Sequence, residues 1–408
     1  MELITETVVQ PFAAAADHSS AVWNDAGEHM IAAFVGKSTG PTLIAVGSLH
    51  GNEPGGVKAL ASVAEKLTER ADRLNGRVYF LAGNTRAIAA GVRFIDHDLN
   101  RAWTPTNLSS DRAVVMAHSS ERAEIRELDA ILDGILITAL DEVFVLDLHS
   151  TSTGGMPFAT VGDTLRNREF AQKFPVAILL GIEEQLDGTM LEYLNNTGAV
   201  TLGFEGGQHA GAETAENHEA LVWLALINAG IIGEGDVPEF AASKIRLAGK
   251  HSRSRVFEVR YRHAITTDDE FVMKPGYANF DPIRKGEVLG TDRNGEVTAI
   301  EKGLLLMPLY QKLGEDGFFI GREISPFWLG LSGLLRRIGV QKLVHWLPGV
   351  VQDEHDAGTL LVDTRIARLF PLQVFHLLGF RRRRWSGNKL IVSRRRHDTS
   401  GPFKWKGK

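Results

Sequence analysis

Four short apolar runs, TLIAV (42–46), RVYFLA (77–82), EVFVLDL (142–148) and AVTLGF (199–204), are each bounded by turn-forming or polar residues. Between them lie GGVKALASVAEKLTER and SERAEIRELDAILDGILI, and after them AENHEALVWLALINAGII, stretches long enough for helices. In the first two of these helical stretches the apolar residues recur at three- and four-residue steps, the period of an amphipathic helix. Strands that alternate with helices in this way pair mainly in parallel, because each crossover needs a dozen or more residues. The reading is therefore an α/β fold with a mainly parallel, mixed sheet and helices on its faces.

From about residue 245 the pattern changes to short alternating segments with turn signals, such as RVFEVRYRHAI and GEVTAIEKGLLLMPLYQ. At 408 residues the chain exceeds a single core. Three units are expected: an α/β domain over 1–240, a smaller β-rich domain over 241–322, and a C-terminal extension with a basic tail over 323–408. Residues 381–408 hold eleven Lys or Arg against one acid, which leaves about −15 on the rest of a chain whose formal net charge is −5. The tail is a separate electrostatic object.

The chain has no cysteine, so thiolate nucleophiles, disulfides and Cys-type zinc sites are excluded. Any metal must sit on His, Asp or Glu. The start, MELITETVVQPF, carries acids before its apolar residues and does not resemble a secretory leader, and no uncharged apolar stretch of membrane-spanning length follows. A cytoplasmic protein is expected.

In an open α/β sheet, reactive groups gather beyond the carboxyl ends of the strands. Here TLIAVGSLH ends in His50 with Glu53 three residues later, EVFVLDLH ends in His149, and AVTLGFE ends in Glu205. Two imidazoles and a carboxylate make the three-ligand set of an open catalytic zinc site, with a further acid available as base. The glycines of SLHGNEPGG are read as the device that turns the chain at the strand end. The bland alternative, loop histidines and a helix-terminal acid, suffices for each residue taken alone. The segment AGNTRAIAAGVRFIDHDLNRAW (82–103) gathers Asn84, Arg86, Arg93, Asp96, His97, Asp98, Asn100 and Arg101; a solvated loop is its bland reading, but an Asn-Arg pair suits a carboxylate and Arg93 suits a developing oxyanion.

HGNE, GNTRAIAAGVRFIDHDLNR, DLHST and FEGGQH, in this order and with these gaps, resemble the succinylglutamate desuccinylase and aspartoacylase family, which is related to the zinc carboxypeptidases. The resemblance covers roughly residues 40–230, more weakly to about 320. It implies one Zn2+ per chain on His50, Glu53 and His149, Glu205 as the residue that activates water, and Arg93 as the group that polarises the amide carbonyl. Asn100 and Arg101 would hold the substrate carboxylate. The implied reaction is hydrolysis of a small N-acyl amino acid or related amide, with the β-rich unit narrowing access.

Two other functions stay open: a carboxypeptidase-type peptidase, and a membrane-surface or nucleic-acid binding protein acting through the basic tail with Trp385 and Trp405. A weak membrane-surface contact and a homo-oligomer remain open as partner readings beside the small-molecule substrate. His97 and His209 are left out of the site.

Overall fold

A computed structural model describes residues 29–108, 118–249, 254–311, 313–356, 358–363, 372–386 and 389–402. The acidic start of the chain and the tail beyond residue 402, with Trp405, lie outside the described residues. The first eight strands are β1 (Met30–Val35), β2 (Ser38–Gly47), β3 (Asn75–Ala82), β4 (Val143–Thr151), β5 (Phe158–Val161), β6 (Ala177–Leu180), β7 (Val200–Gln208) and β8 (Val256–Ala264). They stand in the order β1-β3-β2-β4-β7-β5-β6-β8, and the same sheet continues through Asp316–Glu323, Gly303–Leu306 and Pro282–Ile283 to eleven strands.

The four strands expected from the sequence, β2, β3, β4 and β7, are consecutive and parallel at the centre in the order β3-β2-β4-β7. Strands β1 and β5 pair antiparallel at the flanks of that block, which makes the sheet mixed.

Alternation along each central strand divides the core in two. Leu43, Ala45, Val78, Phe80, Leu146 and Leu148 face one side, under helices Gly55–Thr68 and Ala212–Asn228. Ile44, Val46, Tyr79, Leu81, Val143 and Val145 face the other, under helices Ser120–Thr138 and Met190–Thr197. A strand buried on both faces must be apolar at nearly every position, which is why these runs lack polar alternation. Ser119 caps helix Ser120–Thr138 by accepting from the Arg122 amide, and Thr189 caps Met190–Thr197 in the same way from Glu192.

The sheet is continuous across the border expected at residue 240. Strand β8 pairs in parallel with β6 on one side and antiparallel with Asp316–Glu323 on the other. The β-rich segment thereby extends the α/β sheet and adds a three-stranded sheet, Val272–Met273, Val288–Asp292 and Gly295–Thr298.

The extension after 323 has its own apolar cluster, including Val344, Leu360, Phe375, Phe380 and Val392. Several of its cations turn inward. Arg336 and Arg381 both donate to Asp163, with Arg336 Nη1 2.9 Å from Oδ1, and Arg168 donates to the same carboxylate through Nε at 2.7 Å and Nη2 at 2.9 Å. Arg336 also pairs with Asp398, and Arg395 Nε lies 2.8 Å from Glu184 Oε1. Two of the arginines in the basic tail, Arg381 and Arg395, are therefore spent on buried ion pairs that fasten the extension to the α/β core. Among the described residues, no helix is long and apolar enough to cross a membrane.

A candidate metal centre at the carboxyl ends of the central strands

Strands β2, β4 and β7 deliver their terminal residues to one crevice, and the parallel register sets His149 directly opposite Glu205. His50 and Glu53 follow β2 in a buried loop. The left-handed residue of that turn is Ser48, with φ 62°, and not a glycine as the sequence suggested. Its strain is offset locally, since Ser48 Oγ donates to the Glu53 carbonyl at 2.7 Å. Gly51 serves a different purpose: a Cβ there would sit 2.1 Å from the Ala87 carbonyl carbon, so only glycine lets the loop pass against helix Thr85–Ala90.

His50, Glu53 and His149 are all buried, and one ligand atom from each lies within 4.8 Å of the others. Both Nδ1 atoms face Glu53: His50 Nδ1 is 2.9 Å from Oε1 and His149 Nδ1 is 3.1 Å from Oε2. Each Nε2 is held from behind by another carboxylate, His50 by Asp98 at 3.1 Å and His149 by Asp147 at 2.8 Å. Asp98 and Asp147 only accept, so each Nε2 carries a proton, which leaves Nδ1, the atom facing Glu53, as the one whose lone pair an ion would take once any proton shared with Glu53 is displaced. Asn100 Nδ2 lies 3.2 Å from His149 Nε2, but a protonated Nε2 cannot accept from it, so that contact is proximity alone.

This is the donor set of an open tetrahedral zinc site, two imidazoles and a carboxylate with oriented outer partners. Electrostatics agree. Burial opposes ionisation of Glu53 and His149, yet the imidazoles hold Glu53 well below the usual carboxylate range, and Asp147 and Glu53 hold His149 well above the usual histidine value. Without a metal the centre keeps a proton on His149, and an ion entering must displace it.

Glu205 faces the same cavity, and its buried Oε2 has no hydrogen-bond partner. Burial pushes its carboxyl up to about 8, with Glu53 and Asp147 adding to the effect and His149 and Arg93 opposing it. An orphaned carboxylate oxygen beside a convergent ligand set is what a site built around a missing cation looks like.

Arg93 donates from Nη2 to Asp98 Oδ2 at 3.0 Å and stands 3.6 Å from Glu53, while its buried Nε has no partner. Asn100 Oδ1 accepts from the Met190 amide at 3.0 Å, which fixes it at the start of helix Met190–Thr197. Arg101 donates from Nη1 to the Asn100 carbonyl at 2.9 Å and from Nη2 to Asp316 Oδ2 at 3.1 Å. All seven residues singled out from the sequence thus line one cavity of about 120 Å³.

Several participants were missed. Asp147 stands two residues before His149 on the same strand face, so alternation alone would have found it. Asp98 sits in DHDLN, where no periodic pattern marks it. His209 also lines the cavity, bonded to Ser150 Oγ at 2.8 Å, and burial lowers its pKa. Glu183, Glu315 and Asp316 reach it from segments with no motif. His97 is exposed.

The chain matches known proteins over this region. The family model for the succinylglutamate desuccinylase/aspartoacylase catalytic domain matches residues 39–226. An aspartoacylase of Danio rerio is 34% identical over 108 residues, which are 26% of this chain and 33% of that protein. A succinylglutamate desuccinylase of Serratia proteamaculans is 25% identical over 267 residues, 61% of this chain and 73% of that protein. The chain therefore spans about a third of the zebrafish relative's length and more of the bacterial one. In fold, a succinylglutamate desuccinylase/aspartoacylase structure from Rhodobacter sphaeroides superposes with a TM-score of 0.55 at 19% identity, covering 72% of this chain and 88% of that one. Through residues 39–226, with the His50/Glu53/His149 centre inside them, the chain belongs to the succinylglutamate desuccinylase/aspartoacylase family.

Proposed function

We propose that this protein is a zinc-dependent amidohydrolase that cleaves a small N-acyl amino acid or related amide into a carboxylic acid and a free amine. The observation that carries this reading is the convergence of His50 Nδ1, Glu53 and His149 Nδ1 beside the unpartnered Glu205 carboxylate. A divalent metal held by the three would supply Lewis acidity, a more acidic water and a positive charge that favours the ionised form of Glu205.

The chain's own residues then divide the work. Glu205 takes a proton from the attacking water as its oxygen adds to the amide carbon. It returns that proton to the nitrogen as the C–N bond breaks. The free Nε of Arg93 points its charge at the carbonyl oxygen, where negative charge develops. Asp98 and Asp147 hold the two imidazoles in the required tautomer. Asn100 and Arg101 position the substrate's polar end. Because Arg101 already shares its fork with Asp316, a substrate carboxylate would meet it at Nε, which makes no hydrogen bond but stands 3.6 Å from Glu315 Oε2 and would have to be drawn from that acid.

Strand Asp316–Glu323 and the turn before it line the same cavity through Met307, Leu309, Glu315 and Asp316, which favours small substrates over peptide chains. The test is a screen of N-acetyl, N-succinyl and N-formyl amino acids and short peptides, with and without zinc. Zinc-dependent release of free amino acids from the small amides supports the reading. Release of C-terminal residues from peptides, with the small amides untouched, overturns it in favour of a peptidase.

A further inference from the structure

The cavity carries more negative charge than hydrolysis requires. Among the described residues six carboxylates line it against two guanidiniums. Most have evident occupations: Glu53 in the ligand set, Asp147 on His149, Glu205 beside the centre, and Glu315 and Asp316 on Arg101. Asp316 is committed further, since Arg262 Nε donates to its other oxygen at 2.5 Å.

One carboxylate is left over. Glu183, between β6 and helix Met190–Thr197, is 7% exposed and lines the cavity beside Ile182, Leu186 and Leu191. Its Oε2 accepts from Thr189 Oγ1 at 2.9 Å, and among the described residues no donor is bonded to Oε1. The nearby cation of the extension, Arg395, is bonded to the adjacent Glu184 and not to Glu183. A carboxylate in an apolar wall with one hydrogen bond is costly to ionise, and a cation within reach repays that cost. Burial accordingly raises its pKa to about 7, with Arg395 and Thr189 opposing and Glu184 and Asp147 adding to the rise.

The guanidiniums of the cavity argue the same way. Among the described residues Arg93 and Arg101 are the only guanidiniums that line it, and Arg101 already feels the charges of Asp98, Asp316, Glu315 and Glu183. A second substrate carboxylate would meet this field and gain no free arginine fork.

Resting on the hydrolase reading above, we propose that the substrate is an N-acylated amino compound carrying a second, unacylated ammonium group, and that Glu183 is the residue that receives it. The ammonium displaces no existing ion pair: it donates to Oε1 of Glu183 while the methylene stem packs on Ile182, Leu186 and Leu191. The reaction balances as hydrolysis, with one water consumed and the amide converted into an acid and an amine, and the second amine unchanged.

The test compares the zinc-loaded full-length protein on three N-acetyl amino acids of similar size: the Nα-acetyl derivatives of lysine, norleucine and glutamate. The expected result is a kcat/KM for the lysine derivative at least tenfold above both others. Glu183→Gln is expected to shrink that lysine-to-norleucine ratio about tenfold, with thermal melting used to show that the variant is folded. A wild-type protein that prefers the norleucine or glutamate derivative overturns the proposal without recourse to the variant, as does a ratio that Glu183→Gln leaves unchanged. Absence of turnover on every amide, with zinc bound, instead overturns the hydrolase reading and this assignment with it.

Discussion

Replacing Asp147 tests whether the carboxylates behind the imidazoles are part of the metal site. Asp147 is 1% exposed, its Oδ2 lies 2.8 Å from His149 Nε2, and its Oδ1 is buried without a donor. Asp147→Asn keeps an acceptor oxygen and hence the tautomer of His149, and removes only the charge. Asp147→Ala removes both. Loss of an outer partner of a metal-bound histidine costs 10–100-fold in affinity, about 1.4–2.7 kcal/mol. Asn is therefore expected near the lower figure and Ala near the upper. Proton competition modulates this: Asp147, together with Glu53, overcomes burial to hold the His149 pKa well above its usual value, so the wild type loses some affinity at neutral pH to a proton that the variants hold less tightly. The deficit should accordingly grow from pH 7 to pH 9. Competition against a chromophoric zinc chelator at both pH values measures it. Equal zinc affinity for wild type and both variants at pH 9 would refute the assignment of Asp147.

The ion-pair cluster that fastens the C-terminal extension is expected to be strongly stabilising once formed. Asp163→Asn leaves Arg168, Arg336 and Arg381 buried around a neutral group, at a cost of about 3–5 kcal/mol in urea unfolding; a loss below about 1 kcal/mol would contradict that role. Glu183 gives a pH signature. Its folded pKa of about 7 lies above the ordinary 4.5, so between those values the unfolded chain has lost a proton that the folded one keeps, and stability falls as pH rises through the window. Glu183→Gln abolishes that loss, with an upper bound of roughly 3 kcal/mol at pH 8 relative to pH 4.5; parallel stability–pH curves for the two proteins would exclude it.

Much of this site could be read from the chain because its parts fall where local rules operate. The runs around Ile44, Val145 and Leu202 are apolar at nearly every position, which both marks buried parallel strands and fixes where they end. His50, Glu53, His149 and Glu205 lie at those ends, so their convergence follows from the sheet order. Asp98, Glu183 and Asp316 do not follow. They arrive from a loop, from the segment before a helix cap and from a strand over a hundred residues further on, and only tertiary packing brings Asp98 behind His50 and Glu183 and Asp316 to the cavity. The turn at His50 was misjudged for a related reason. Glycine abundance suggested a left-handed glycine, whereas the positive φ belongs to Ser48, whose hydroxyl compensates for it, and Gly51 is required by contact with a distant helix. The basic tail read as one electrostatic object, but Arg381 and Arg395 find buried acids in the α/β core.

The most direct test of the central claim is to purify the wild type and Glu205→Gln, measure zinc per chain, and assay both on a hydrolysed N-acyl amino acid. The account predicts one zinc per chain in each protein, turnover in the wild type that is lost with chelator and restored by zinc, and a loss of about 10²–10⁴-fold in kcat for Glu205→Gln. Full turnover by Glu205→Gln, or wild-type hydrolysis that persists after the metal is removed, would contradict it.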